Sequence, residues 1–247
     1  MRRLLPLAED DDDHADVDIE SAYAVPDGDH LRALFIASAD GAAVAEGKSG
    51  PLANDTDRSL LPALRRITDA IVVGAGTVRV EGYGGIRLDD DTRLRRREAG
   101  RNDSPPLVII SGSADFDPGA SVFVDSLAPP ILVTTERGAE GPGRDLEGLA
   151  DLMVVGSDRV DLRAALDALR ERGLHQLLCE GGPALLSQLV QADLVDELCL
   201  TYSPTIVAGE AFRILRGIDE FEPPRALRLA HLFADDEGYL FARYALH

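Results

Sequence analysis

Two glycine-rich turns are the most chemically informative stretches of this chain. In Leu177-Leu178-Cys179-Glu180-Gly181-Gly182-Pro183-Ala184-Leu185-Leu186, an apolar run stops at Glu-Gly-Gly and an apolar helical pattern begins at once. In Asp69-Ala70-Ile71-Val72-Val73-Gly74-Ala75-Gly76-Thr77-Val78, a strand-like run enters a second glycine-rich turn. Adjacent glycines let the backbone bend sharply and bring bare N–H groups close to a ligand. A following helix N-terminus favours an anion. The chemistry implied is a cradle for the pyrophosphate of a nucleotide cofactor. Taken alone, a Gly-Gly between strand and helix is also an ordinary tight turn. A third segment, Ala37-Ser38-Ala39-Asp40-Gly41, closes the first apolar strand and adds a carboxylate at a turn.

The elements that must position these turns alternate. Strand patterns cover 31–37, 70–73, 107–110, 122–124, 131–134, 152–155, 174–179 and 195–203, and 227–233 with 239–246 read as a closing hairpin. Helical patterns cover 55–68, capped by Asp55 or Thr56 and blemished by Pro62, then 162–172, stopped by Gly173, and 183–192. Residues 79–105 read as a long polar loop with a short helical piece, and residues 1–29 as an acidic, irregular leader with a solvated charge run at Asp10 to Asp13. Such alternation predicts an α/β fold with a mostly parallel sheet covered on both faces, closed by a C-terminal antiparallel hairpin. Ligands of such sheets bind at the carboxyl ends of strands, which places the three turns on one cleft. Residues 30–247 are expected to form a single domain. Gly74-Ala75-Gly76 has no third glycine at the dinucleotide-fingerprint spacing and no long helix after it, so a standard Rossmann domain is disfavoured.

Composition narrows the function further. Forty-four acidic residues against 25 Lys and Arg give a net charge of −19. That argues against nucleic acid and anionic membrane surfaces as partners. No apolar run reaches the length of a bilayer span, and the N-terminus lacks a signal-peptide core, so a cytoplasmic protein is expected. Lys48 is the only lysine, so phosphate contacts must come from Arg side chains and backbone N–H groups. Cys179 and Cys199 are read as buried free thiols, and the histidines show no metal-ligand spacing, so no metal is expected.

Ser38-Ala39-Asp40-Gly41, Asp69 to Val78, Glu180-Gly181-Gly182 and Val195-Asp196-Glu197-Leu198, in this order, resemble the reductase domain of bacterial riboflavin biosynthesis, the C-terminal part of the bifunctional deaminase–reductase. Ser203-Pro204 and Gly209 extend the likeness, which spans about residues 30–246. The resemblance implies a dihydrofolate-reductase-like three-layer fold, NADPH as cofactor and a homodimer. It also implies reduction of the ribosyl group of 5-amino-6-(5-phosphoribosylamino)uracil to a ribityl chain. By it, Gly74, Ala75, Gly76 and Thr77 hold the cofactor phosphates, Gly181 and Gly182 close on the other side, and Ser111-Gly112-Ser113 takes the adenosine 2′-phosphate. The acidic candidates for catalysis are Asp40, Glu81 and Glu180. Ser38, Arg65 and Arg87 are the candidates for substrate, the two arginines as forks for its phosphate.

The chain departs from the family pattern on the substrate side. Ala42 stands where many members have lysine, Glu81 replaces an aspartate, and Ser49-Gly50-Pro51-Leu52-Ala53 replaces a Ser-x-Trp-Ile-Thr segment. Two alternatives therefore stay open: a related NADPH-dependent reductase with another substrate, such as a dihydropterin, and a nucleotide-binding module without catalysis.

Overall fold

The computed structural model describes residues 1–5, 17–24 and 27–246. The acidic run Asp10 to Asp13 lies outside the described residues. Among the described residues, ten strands form one sheet: β1 (Arg2–Leu5), β2 (His30–Ser38), β3 (Ala70–Gly74), β4 (Leu107–Ile110), β5 (Ile131–Thr134), β6 (Asp151–Val154), β7 (Gln176–Cys179), β8 (Glu197–Ser203), β9 (Arg228–Ala234) and β10 (Leu240–Ala245). Their order is β1-β9-β10-β8-β2-β7-β3-β4-β5-β6. From β8 through β6 the neighbours run parallel, whereas β10 is antiparallel to both β8 and β9, and β1 to β9.

The helices are α1 (Ile19–Ala22), α2 (Asp55–Ile67), α3 (Ala75–Glu81), α4 (Asp90–Glu98), α5 (Ser121–Val124), α6 (Glu136–Glu140), α7 (Leu162–Glu171) and α8 (Pro183–Gln191). Alternate strand residues feed opposite faces. Leu31, Val72, Leu177 and Cys179 pack with Leu166 and Leu169 of α7 and Leu186 and Leu189 of α8. On the other face, Ile71, Val73 and Ile109 pack with Val78 of α3 and Phe123 of α5, while Ile36 and Leu178 meet Leu60 and Leu64 of α2. Strands buried on both faces read as unbroken apolar runs, which is why β3, β5 and β7 were legible.

Several local expectations are corrected. Val122 to Val124 is a turn of helix, not a strand: three apolar residues are too few to show a period, and Val122 and Phe123 are buried from one side of a helical turn. The short helical piece expected within 79–105 is α4, which Asp89 caps through Thr92 N–H, and the stretch also takes in the end of α3, which begins inside the glycine turn. The cap of α2 is Asn54, whose Oδ1 accepts from Asp57 N–H at 3.0 Å. The helix runs on through Pro62. The leader is not wholly irregular, since β1 pairs with β9 at the sheet edge. Among the described residues, no helix is long and apolar enough to cross a membrane.

Candidate active site

The chain order sets up the site. β2 and β3 follow each other in sequence, yet β7 lies between them, pairing Ala33 with Cys179 on one side and Val72 with Cys179 on the other. Cys179 is thus level with Ala33 and Val72, so the glycine turns after β7 and β3 stand side by side, while β2 runs on past them to Ser38 and the third turn. Gly74 N–H donates to the Gly181 carbonyl at 2.7 Å, and Glu180 N–H to the Val72 carbonyl at 3.0 Å, so the two glycine turns face each other.

Glycine is required there by space. A Cβ on Gly182 would stand 2.4 Å from Thr77 Oγ1. Gly181 has φ +97°, and a Cβ there would meet the Phe35 ring at 3.1 Å. The Gly181–Gly182 peptide is cis. The first turns of α3 and α8 have no side-chain cap, so their backbone N–H groups stay available to an outside acceptor. A Cβ on Gly76 would meet nothing within 4 Å, which marks that side of the turn as open. This arrangement of Gly74, Ala75, Gly76, Thr77, Gly181 and Gly182 fits a dinucleotide pyrophosphate.

Ser111 and Gly112 follow β4, beside the end of β3. The Ser111 hydroxyl accepts from Ala114 N–H at 3.2 Å, and the Gly112 carbonyl accepts from the Thr135 hydroxyl at 2.8 Å, so both help to build a turn. Arg79 of α3 reaches that turn, donating to the Asp115 carbonyl at 3.0 Å and lying over the Phe116 ring at 5.1 Å. Sequence reasoning missed it, because an exposed arginine on a short helix carries no pattern.

Next to the glycine turns opens a cleft of about 380 Å³. Leu34, Phe35 and Ile36 of β2 with Leu61 of α2 give it apolar walls, and Asp57, Arg58, Glu81 and Glu180 give it charge. The predicted residues occupy unequal positions. Glu180 is nearly sealed, with its side chain 3% exposed, and its oxygens accept from Arg65 Nε at 2.7 Å, Arg65 Nη2 at 2.6 Å and the Tyr83 hydroxyl at 2.7 Å. Burial pushes the Tyr83 hydroxyl far up, and the Glu180 carboxylate adds to that, so Tyr83 stays a donor. Burial alone would lower the Arg65 pKa, but Glu180 outweighs it and raises the value. Arg65 is thus turned to Glu180 rather than to a substrate phosphate.

Asp40 accepts from the Ser38 hydroxyl, from Val207 N–H at 3.2 Å and from Ala208 N–H at 2.7 Å. The Ser38 hydroxyl, then the Ala208 and Val207 N–H groups, hold it at about 2. It therefore carries no proton near neutrality and serves to tie the loop after β8 to the end of β2. Ser38 is buried and also accepts from Ala42 N–H at 2.9 Å, so it too belongs to that tie rather than to the cleft lining. Glu81 closes α3 at the cleft wall, and its Oε1 accepts from both Ser49 N–H and the Ser49 hydroxyl at 3.2 Å. Arg87 is exposed on the loop after α3 and is not part of the cleft lining. Two cleft residues were missed, Asp57 and Arg58. Acids and bases in the first turn of a helix read as capping and solvated charge, and only the packing of α2 against Ile36 of β2 brings them to the cleft.

The fold is of the mixed α/β class, with a mostly parallel sheet and a C-terminal antiparallel hairpin. The family model described as the RibD C-terminal domain matches residues 29–241, and the chain belongs to that family. It is 32% identical over 206 residues to the 2,5-diamino-6-ribosylamino-4(3H)-pyrimidinone 5′-phosphate reductase of Methanothermobacter thermautotrophicus, covering 81% of this chain and 91% of that one. It is 32% identical over 189 residues to the riboflavin biosynthesis protein RibD of Chlamydia pneumoniae, covering 74% of this chain and 47% of that protein. Among solved structures, a pyrimidine reductase-like protein of Corynebacterium diphtheriae superposes with a TM-score of 0.83 at 31% identity, covering 93% of this chain and 98% of that one.

Proposed function

We propose that this protein is an NADPH-dependent oxidoreductase that reduces the ribosyl group of a 5-amino-6-ribosylaminopyrimidine 5′-phosphate to a ribityl chain. That class includes both the uracil expected from the sequence and the 2,5-diaminopyrimidinone in the name of the Methanothermobacter relative. The observation that carries the reading is the joining of the two glycine turns through Gly74 N–H and the Gly181 carbonyl, directly beside an acid-lined cleft.

Held by the two glycine turns, the cofactor would supply a hydride to C1′ of the opened ribose. When that bond forms, the electron pair of the C1′–N double bond passes to nitrogen, which takes a proton. Glu81 is the carboxyl best placed to manage that proton, since Glu180 is engaged by Arg65 and Tyr83 and Asp40 is bound as an anion. Arg58 at the cleft wall is the cation for the substrate phosphate, in place of Arg65 and Arg87. Arg79 beside the Ser111-Gly112 turn takes the adenosine 2′-phosphate and selects NADPH over NADH. We further propose one catalytic domain over residues 30–247 that works as a cytoplasmic homodimer; light scattering of the purified protein tests the dimer.

The reading is tested by following NADPH oxidation with the phosphorylated pyrimidine, run beside dihydrofolate. Oxidation with the pyrimidine alone supports it. Tight NADPH binding with turnover of dihydrofolate alone would instead favour a paralogue with a dihydropterin substrate, and binding without any turnover a non-catalytic module.

A further inference from the structure

We propose that Asp57 is the specificity-determining residue of the cleft, a carboxylate that holds the N3–H and 2-amino edge of the pyrimidine and so selects a 2-amino-4-oxo ring over a uracil. This rests on the reductase reading above.

The geometry singles Asp57 out among the cleft acids. Glu180 already accepts three hydrogen bonds from Arg65 and Tyr83. Glu81 accepts two from Ser49 through Oε1. Asp57 sits half-buried in the first turn of α2 and lines the cleft together with Ile36 of β2, Ala53 and Leu61, apolar neighbours for a flat ring. Its neighbour Arg58 donates to the Asp55 carboxylate and to the Gly50 carbonyl, both at 3.3 Å, and not to Asp57. Burial raises the Asp57 carboxyl, opposed by the Thr201 hydroxyl of β8 and the Arg58 charge. A half-buried carboxylate with no cation bound to it gains most from a ligand bringing donors of its own.

Ring chemistry then sets the preference. A 2-amino-4(3H)-pyrimidinone presents two adjacent donors, N3–H and the amino N–H, spaced for the two oxygens of one carboxylate. A uracil presents N3–H beside the O2 acceptor, and that oxygen would face a carboxylate oxygen with no proton between them. An asparagine at the same place reverses the match, because its carbonyl accepts from N3–H and its NH₂ donates to O2.

The test measures kcat/KM for the phosphorylated 2,5-diaminopyrimidinone and for the corresponding aminouracil, with the unaltered protein and with Asp57→Asn and Asp57→Ala. NADPH affinity of each variant serves as the check on folding. The unaltered protein is expected to prefer the diamino ring by on the order of 10- to 100-fold, the scale of a hydrogen bond to a charged group. Asp57→Asn is expected to shift that ratio toward uracil by a similar factor, and Asp57→Ala to lose most of the discrimination, both with unchanged NADPH affinity. An unchanged ratio in Asp57→Asn, with the unaltered protein active, overturns the assignment alone. If the unaltered protein reduces neither ring, the reductase reading fails and the assignment fails with it.

Discussion

At the scale of residues, the cleft assigns different work to chemically similar groups. Glu180 and Glu81 both line it, but one is spent on Arg65 and Tyr83 while the other keeps an oxygen beyond its contacts with Ser49. Glu81→Gln is expected to lower kcat by about 10²- to 10⁴-fold while leaving NADPH affinity unaltered, the usual scale for loss of a proton-transfer group; single-turnover kinetics would show it. Arg79→Ala is expected to weaken NADPH by roughly 10-fold or more, as for loss of a charge-assisted pair, and to leave NADH unaffected. Fluorescence titration with both cofactors checks this, and equal losses for the two would remove Arg79 from the 2′-phosphate site.

At the scale of elements, α2 is the part most exposed to failure, because it carries Asp57, Arg58, Leu61 and Arg65 to the site. Its C-terminal carbonyls have no helical donors. Arg96 of α4 supplies them: its Nη1 reaches the carbonyls of Arg65 at 2.8 Å, Arg66 at 2.9 Å and Thr68 at 2.7 Å, while Nε reaches the Asn102 carbonyl at 2.8 Å. Burial, helped by the Arg101 charge, lowers this guanidinium to about 10, so it remains charged throughout the working range. Arg96→Met leaves those carbonyls buried without partners and is expected to cost about 2–4 kcal/mol, read as a fall in the midpoint of denaturant unfolding.

The same elements show what was legible beforehand. Glycine turns at strand ends announce themselves by composition, and β3 and β7 by uninterrupted apolar runs. Within 79–105 only a short helical piece was legible, without bounds, because a helix whose inward residue is Arg96 has no apolar stripe to display. Asp57 was hidden for a related reason: its role depends on β8 and β2, which lie far away in sequence.

For the whole molecule, acid is the weak direction. On β9, His231 stacks on Phe233 at 4.1 Å and meets the Tyr23 edge at 4.8 Å. Burial, then the Arg243 charge, lowers His231 from 6.5 to about 4. Nearby, burial would raise Glu197, but the His30 hydrogen bond and the charges of Arg32 and Arg243 prevail and hold it at about 2, against 4.5 ordinarily. Both folded values lie below the ordinary ones, so as pH falls the unfolded chain takes up protons first. The His231 contribution is complete above about 6.5 and is lost toward 4, and the Glu197 contribution is lost below about 4.5. Stability is expected to fall by roughly 2 kcal/mol from pH 7 to 4.5 on account of His231. His231→Phe should flatten that slope in melts across the range; an equally steep slope would place the acid sensitivity elsewhere.

The position of β7 between β2 and β3 also bears on how the chain is made. Leu31 and Ile71 are bridged through Leu177 and Leu178, residues synthesised long after both. Local structure around β2 and β3 has its central slot open until that segment emerges, and such distant pairing closes slowly. A product ended before Gln176 lacks both the strand that joins the halves and the Gly181 carbonyl that fixes Gly74, so it should neither fold cooperatively nor bind NADPH in a titration. Prematurely terminated chains would then be recognisable to proteases as unfolded, and nucleotide binding would report only on translation that has entered the final third of the message.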